Sequence, residues 1–302
     1  MKTESPVIAT EIASDNGSPA LVPATHSSAA LKVGDRKPKA NEGIFALFLP
    51  NRRVALPLLV AVGLFEAALF VGLWMLSPYE VLPTPLEVLL ALQRLWMTQG
   101  LGQELATSFG LNLQALLWSS VISLGLAYLT VLPVFRPLVA AISKGRFLSL
   151  AGFTFIFTLM VGGGRPLQVT LLTFAITVFY VTSMASVIAA IPRSEFEHAR
   201  TLHMSEGRIV WEVVILGTAD KAFEVLRQNA AMGWMMLSLI EGIVRSGGGI
   251  GAMLLAESKH FALAEVFAIQ LVILIVGMVQ DYGIEWLRRL LCPYSVLTLE
   301  RK

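Results

Sequence analysis

The hydrophobic residues of this chain fall into long apolar blocks that are separated by shorter polar connections. Each block reaches or approaches the roughly 20 apolar residues that a helix needs to cross a bilayer. The six blocks occupy residues 54–76, 108–132, 147–161, 167–191, 226–244 and 264–284. Because backbone groups in lipid must be satisfied internally, and blocks of this length are too long for barrel strands, they predict helices. The pattern therefore predicts an all-α polytopic membrane protein with about six transmembrane helices.

The two ends of the chain have a different composition. Residues 1–45 are rich in Ser, Ala, Pro, Asn and charged residues and show no apolar period, which predicts a disordered cytoplasmic tail. No apolar h-region lies near the start, so this segment does not have the pattern of a signal peptide. The predicted membrane domain covers residues 46–292, and residues 293–302 form a short C-terminal tail.

Lysine and arginine residues are concentrated in alternate connections, and this bias sets the orientation of the spans. One side carries Arg52, Arg53, Arg136, Lys144, Arg146, Arg193, Arg200, Arg208, Lys221, Arg288, Arg289, Arg301 and Lys302. The other side carries only Arg94, Arg165 and Lys259, with Arg245 at the edge of the fifth block. The basic side is the cytoplasmic one, so both termini are predicted to lie in the cytoplasm.

Composition supports a membrane protein and excludes some other classes. Hydrophobic residues make up 55% of the chain and charged residues 15%, against the roughly one quarter charged residues of soluble domains. A net charge of +2 gives no basic face for nucleic acid. The single cysteine, Cys292, excludes an internal disulfide.

The connection at residues 192–222 is long for a helical bundle and mixes charged with apolar positions. Ser194 and Glu197 have the spacing of a capping box, which predicts a helix start at Ser194. Gly207 is predicted to end this first short helix. A short, partly apolar helix outside the membrane needs a covering partner, and a cytoplasmic protein surface would serve.

The same connection carries the sequence EHARTL at residues 197–202, followed by Ser205. This stretch resembles the EAA signature of binding-protein-dependent ABC transporter permeases, in particular their nitrate, sulfonate, taurine and bicarbonate branch. Further matches to that branch are residues 82–85, Ser108, Leu226, Arg227, Glu241, residues 249–251, Asp281, Arg288 and Arg289. The chain departs from the signature at His198, where an alanine is usual, at His203, where a glycine is usual, and at Leu216 and Asp220, where prolines are usual.

The resemblance implies the permease subunit of a type I ABC importer, working as a homodimer or heterodimer. Two ATPase subunits would dock on the cytoplasmic loops, and a periplasmic or lipid-anchored solute-binding protein would deliver a small solute, such as a nitrate-, sulfonate-, taurine- or bicarbonate-type anion. ATP and Mg²⁺ would belong to the partner ATPase, and no cofactor to this chain, which has no GxxxxGK[ST] phosphate loop. The implied ATPase-coupling residues are Glu197, Ala199, Arg200, Leu202, Ser205 and Gly207. Of these, Ala199 and Leu202 are expected to be buried in an ATPase groove.

Three charged residues lie in or beside the apolar blocks. Glu66 is near the middle of the first block, where a carboxylate is costly and either lines a solute or proton pathway or packs against a polar neighbour. Glu241 and Arg245 are four residues apart, which predicts an ion pair along one helix face. That pair would either neutralise its own charges or contribute to solute passage or helix packing.

Two other function classes remain open from the sequence. One is an ion-coupled secondary carrier that uses Glu66, and the other is a membrane scaffold without transport activity. The chain is not predicted to be an enzyme, since no catalytic set can be assembled, and His198 and His203 do not share a helix face as metal ligands would. The glycine runs at residues 162–164 and 247–249 are predicted to be turns.

Overall fold

The computed structural model of the protein describes residues 56–76 and 81–293. These residues form eleven α-helices and contain no β-strand. The helices are α1 Leu56–Met75, α2 Pro85–Thr98, α3 Leu101–Leu129, α4 Arg136–Lys144, α5 Leu150–Val161, α6 Arg165–Ala189, α7 Arg193–Thr201, α8 Glu206–Ile209, α9 Ala219–Ile243, α10 Ile250–Lys259 and α11 Leu263–Leu291. The predicted all-α architecture is confirmed. The predicted tail at residues 1–45 and residues 294–302 lie outside the described residues.

The chain divides into two compact units, and the boundary between Ala67 and Ala68 lies inside α1. The described part of the first unit is the N-terminal portion of α1, which is almost entirely apolar apart from Glu66. The second unit contains the end of α1 and all of α2 to α11.

Four of the described helices are long and apolar enough to cross a bilayer: α1, α3, α6 and α11. A fifth crossing is obtained if the segment from Pro133 to Phe147 and α5, which meet at 113°, form one bent span. The predicted span at 147–161 was wrong as a single helix, because α5 has only 12 residues, a length of about 18 Å. The predicted span at 226–244 lies in α9. This helix is long enough to cross a bilayer, but it is more polar than the four helices named above and is not counted among the candidate spans.

The core of the second unit is built where α3, α6 and α9 meet. Leu111, Leu172, Trp234 and Leu237 belong to one buried apolar cluster there. The buried face of α3 also carries small polar residues, including Ser123, whose hydroxyl donates to the carbonyl of Thr177 at 3.3 Å. Small residues allow helices in membranes to approach closely, which explains why this face packs against α6.

Helix α2 lies between the first two predicted spans. Thr84 caps its start in a reciprocal capping box with Glu87, and Pro85 occupies the first helical position. Its buried residues pack on α11 in an apolar cluster that includes Leu95 and Ile269. This packing leaves exposed a mixed face of α2, on which Glu87 and Gln93 lie beside Leu86, Leu89 and Leu90.

Candidate functional site

The connection predicted to contact an ATPase folds as a chain of short helices. After α7 and α8 the backbone forms a π-helical turn, Val210–Ile215, and a 3₁₀ turn, Leu216–Thr218, which leads directly into α9. We refer to residues 192–218 as the coupling loop. Its helical character agrees with the short helix predicted for this connection.

The start of α7 differs from the prediction. Pro192, with φ −62° and ψ 142°, is the last residue before the helix, and no side chain caps the free amides. The predicted capping box of Ser194 and Glu197 was therefore wrong. Pro192 lacks an N–H and has a fixed φ, so the helix begins immediately after it and Ser194 falls inside the first turn.

The end of α7 also differs, because the chain turns at His203 and not at Gly207. His203 has φ 56°, in the left-handed region, whereas Gly207 lies within α8. The amide of Met204 donates to the carbonyl of Ala199 at 3.3 Å, and the amide of His203 donates to the carbonyl of Arg200 at 2.9 Å. These two bonds form a Schellman motif, in which glycine is the usual residue at the left-handed position.

Replacing His203 with glycine is expected to stabilise the protein by about 1 kcal/mol, because glycine has no Cβ to oppose the left-handed conformation. The matched control is His198→Gly, an exposed position inside α7, where glycine should cost about 1 kcal/mol. Thermal unfolding of the two purified variants gives the comparison. Equal melting temperatures for the two variants would show that His203 does not adopt the left-handed conformation in the folded protein.

Ala199 and Leu202 occupy different environments within the coupling loop. Ala199 is buried and lines a pocket of about 460 Å³ between α7 and the residues that follow α8, including Val213 and Thr218. Leu202 lines the same pocket but is 61% exposed. The expectation that both residues are covered by a partner was wrong for Ala199, which packs within its own chain. Leu202 remains available to a partner.

An ion pair joins α7 to α8. The guanidinium Nε of Arg200 lies 3.0 Å from Oε1 of Glu206, and both side chains are exposed. The hydrogen bond from Arg200 lowers the pKa of Glu206 below its ordinary value. The pair is therefore intact at neutral pH and is lost when acid protonates Glu206. Ser205 precedes α8, and its carbonyl accepts from the amide of Ile209 at 2.9 Å.

Buried polar side chains converge at the other end of α9, around the turn into α10. The carboxylate of Glu241 is fully buried and accepts from the hydroxyl of Ser108 at 2.7 Å and from the amide of Gly251 at 2.8 Å. The oxygen of Ser108 in turn accepts from the amide of Ile250 at 2.8 Å. These bonds satisfy free amides at the start of α10, where negative charge is favoured.

Two further side chains hold the same turn. An oxygen of Glu104 accepts from the amide of Gly249 at 2.5 Å. The amide of Gln168 donates to the carbonyls of Val244 and Gly248, at 2.9 and 3.0 Å. We call the four side chains Glu104, Ser108, Gln168 and Glu241 the turn clamp. It joins α3, α6 and α9 to the first residues of α10.

The glycines of this turn are required by its geometry. Gly248 and Gly249 have φ values of 71° and 111°, which side-chain-bearing residues rarely adopt. A Cβ at Gly247 would overlap the amide of Gln168, and one at Gly249 would overlap the carboxylate of Glu241. The interpretation of the second glycine run as a turn agrees with this structure.

The predicted ion pair between Glu241 and Arg245 was wrong. Helix α9 ends at Ile243, so Arg245 lies in a 3₁₀ turn and does not continue the helix face of Glu241. Both carboxylate oxygens of Glu241 accept hydrogen bonds from Ser108 and Gly251, and Arg245 is exposed. Glu66 is exposed on α1, and its role in a pathway stays a prediction.

Replacing Glu241 with alanine is expected to destabilise the protein by roughly 3 kcal/mol, because a buried hydroxyl and a buried amide would both lose their acceptor. The control is Glu212→Ala, which removes a surface ion pair with Arg208 of 3.4 Å and should change stability by about 0.5 kcal/mol or less. Thermal unfolding measures both. If the Glu241→Ala and Glu212→Ala proteins have the same melting temperature, the hydrogen bonds of Glu241 do not stabilise the turn.

A third polar cluster connects α9 to α11. Arg227 lies 3.0 Å from Glu224, 3.7 Å from Asp281 and 4.0 Å from Glu285. Glu285 also pairs with Arg288 at 2.8 Å. Two residues of the sequence resemblance, Arg227 and Asp281, are thus brought together, although they are far apart in the chain. Glu285 was not predicted from the sequence, although its i, i+3 spacing to Arg288 indicates an ion pair.

Comparison with known proteins agrees with this architecture. No protein-family model matches the chain. Over 133 residues the chain is 24% identical to the taurine transport system permease protein TauC of Escherichia coli K12, which covers 44% of this chain and 48% of TauC. The matched region thus spans about half the length of that relative.

A structural comparison covers more of the chain. One chain of a structure of the MetNI methionine ABC transporter in inward-facing conformations has a TM-score of 0.51 and 16% identity. The match covers 64% of this chain and 96% of that chain. The fold is that of an ABC transporter permease. The resemblance found from the sequence is confirmed, and the long apolar helices indicate a multi-pass membrane protein.

Proposed function

We propose that this protein is the membrane-spanning permease subunit of an ATP-driven ABC importer. The observation that carries the proposal is the coupling loop, a folded set of short helices with the exposed apolar residue Leu202 beside the buried Ala199. An ATPase surface would cover Leu202, and the Arg200–Glu206 ion pair would hold α7 and α8 in position for this contact. The permease fold supports the same assignment.

The partners follow from this function. Two ATPase subunits would bind the coupling loops of two permease copies, or of one copy and a paralogue. ATP and Mg²⁺ would be bound by the ATPase and not by this chain. A periplasmic or lipid-anchored solute-binding protein would supply the solute, and the likeness to a taurine permease favours a small anion such as a sulfonate.

The test of this assignment is co-expression with each candidate ABC ATPase from the genome that encodes this chain. A stable complex that survives purification in detergent, with two ATPase chains for two permease chains, is expected. If every candidate ATPase is expressed and folded but none co-purifies with this chain, the result would contradict the proposal and would favour a carrier or a scaffold.

We propose an orientation in the bacterial inner membrane with both termini and the coupling loop in the cytoplasm. The bias of Lys and Arg residues supports it. In a background that lacks Cys292, a cysteine at Ser205 should be labelled by an impermeant reagent only after the membrane is opened, whereas one at Met97 should be labelled in intact cells. Labelling of Ser205 from outside would reverse the orientation and remove the argument for ATPase docking.

A further inference from the structure

The connection between α4 and α5 lies against the middle of a membrane-spanning helix. We call residues 145–149 the elbow, because the segment that ends at Phe147 meets α5 there at 113°. A Cβ on Gly145 would lie 3.4 Å from a methyl group of Val178, which is next to the midpoint of α6. Helix α6 is a candidate span of about 37 Å, and the hydrocarbon layer is about 30 Å thick. The elbow therefore lies at the depth of the hydrocarbon layer.

The elbow carries a positive charge at this depth. Arg146 is exposed and forms no ion pair with any residue in the described part of the chain, and its guanidinium carbon lies 5.0 Å from the centre of the Phe147 ring. A charged residue inside a membrane is costly, and such residues line solute or ion pathways or water-filled cavities. The excess of cytoplasmic Lys and Arg residues in the sequence persists without Arg146.

A cavity of about 330 Å³ lies beside Arg146, between the elbow, the start of α5, α6 and α9. Its walls are mainly apolar, with Phe174 and Phe179 from α6 and Leu239 from α9, and Arg146 and Ser149 supply its polar side chains. Binding sites for small molecules have this character, with apolar walls and a few polar groups that fix the orientation of the ligand. Their volumes run from about 300 to 1,000 Å³, so this cavity suits a small solute.

The start of α5 adds to the positive potential that Arg146 gives this cavity. Ser149 is the last residue before α5, and its side chain does not cap the free amides of the first turn. Such amides and the helix dipole favour negative charge at a helix start. Leu150 and Ala151 of that turn line the cavity, and none of the described residues that line it is acidic. The cavity therefore favours a negatively charged group.

We propose that this cavity binds the anionic group of the transported solute and that Arg146 contacts it. The proposal rests on the importer function proposed above, and it assigns the solute to small oxyanions, such as sulfonates, nitrate and bicarbonate. The planar guanidinium of Arg146 would donate two parallel hydrogen bonds to two oxygens of such a group. The hydroxyl of Ser149 would donate a third. Helix α9 lines the cavity and begins directly after the coupling loop, so the solute would contact a helix that is connected to the ATPase surface.

The phosphate of a lipid headgroup has the same chemistry as these solutes and is the alternative source of the anion. Headgroups lie outside the hydrocarbon layer, at the two surfaces of the bilayer. The elbow packs beside the midpoint of α6, far from both ends of that helix. The depth of the cavity therefore favours a solute over a lipid phosphate.

The test measures the melting temperature of the purified full chain in nanodiscs of zwitterionic lipid. Taurine, methanesulfonate, nitrate and bicarbonate are titrated separately, with chloride at equal ionic strength as the reference. A ligand that binds only the folded protein raises its melting temperature, and we expect at least one probe to raise it by about 2 °C or more. Arg146→Gln should abolish this shift. Arg146→Lys should keep the shift at about tenfold higher probe concentration, because an ammonium group supplies the charge without the planar fork.

Arg136→Gln is the matched control, because it removes the same charge at the other end of α4. The side chain of Arg136 donates to the carbonyl of Thr130 and does not line the cavity, so this variant should keep the full shift. No shift with any probe, or an equal shift in Arg146→Gln, would overturn the site, whereas the importer function is tested separately by the complex with the ATPase. If only nanodiscs with anionic lipid stabilise the chain, and Arg146→Gln removes that effect, Arg146 binds a lipid phosphate and the proposal is overturned.

Discussion

Replacing Gly251 with alanine is expected to lower the melting temperature of the purified protein by roughly 6–12 °C, the shift that corresponds to about 3 kcal/mol in a chain of moderate size. A Cβ at this position would overlap the carbonyl oxygen of Ser238 and would lie 2.7 Å from the Cα of that residue. Both atoms belong to the backbone of α9, so no side chain can rotate to make room. Overpacking of this kind typically costs about 1–3 kcal/mol and sometimes more.

The matched control is Gly125→Ala. Gly125 also lies inside a helix, α3, but a Cβ there would meet nothing within 4 Å. Alanine should therefore stabilise this position by about 0.5–1 kcal/mol, because it restricts the unfolded chain. Similar melting temperatures for the two variants would show that α9 and α10 do not make the close contact described for them.

The second large effect is expected from Leu202→Glu, which should reduce recovery of the complex with the ATPase by tenfold or more. Burying a leucine side chain contributes about 1.5–3 kcal/mol, and each 1.4 kcal/mol corresponds to about a tenfold change in affinity. A glutamate would lose that contribution and would bring a carboxylate into the contact. Because Leu202 is 61% exposed, the coupling loop should keep its fold. The amount of ATPase that co-purifies with equal amounts of permease measures the effect.

Met97→Glu provides the control for added charge. Met97 is 75% exposed near the end of α2, on the side that is predicted to face away from the ATPase. The complex of the Met97→Glu variant with the ATPase should be recovered in full. Ala199→Glu is expected to weaken the complex too, but it places a charge in a buried position and disturbs the coupling loop itself. Full recovery of the ATPase with Leu202→Glu would show that Leu202 does not contact it.

The helices could be predicted from the sequence because their signal is local. A run of apolar residues long enough for a bilayer identifies α3, α6 and α11, and Thr84, Pro85 and Glu87 mark the start of α2. Where charge interrupts a run, as in α9, the apolar pattern showed only part of the helix, which begins at Ala219. The bend between α4 and α5 could not be predicted either. The apolar block at residues 147–161 is short, and its sequence does not show the angle at which the helix meets the segment before it.

The turn clamp could not be predicted, because its bonds join residues that are distant in the chain. Ser108 and Glu241 are separated by 133 positions. A sequence shows only local spacing. For Glu241, that spacing predicted an ion pair with Arg245. Helix α9 ends at Ile243, so Arg245 does not lie on the helix face of Glu241. The coupling loop shows the same limit. EHARTL marked the segment that folds as α7, but the burial of Ala199 by its own chain depends on residues after α8 that no local pattern places beside it.

A permease subunit of an ABC importer moves its solute only together with a partner that hydrolyses ATP. The direct measurement is uptake of radiolabelled taurine, sulfonate, nitrate and bicarbonate into proteoliposomes that contain the chain, its ATPase and its solute-binding protein. We expect accumulation of one of these anions with ATP on the ATPase side, and none when ATP is omitted or the ATPase carries an inactivating substitution. Uptake by the chain alone, driven by a proton or ion gradient, would contradict the importer function.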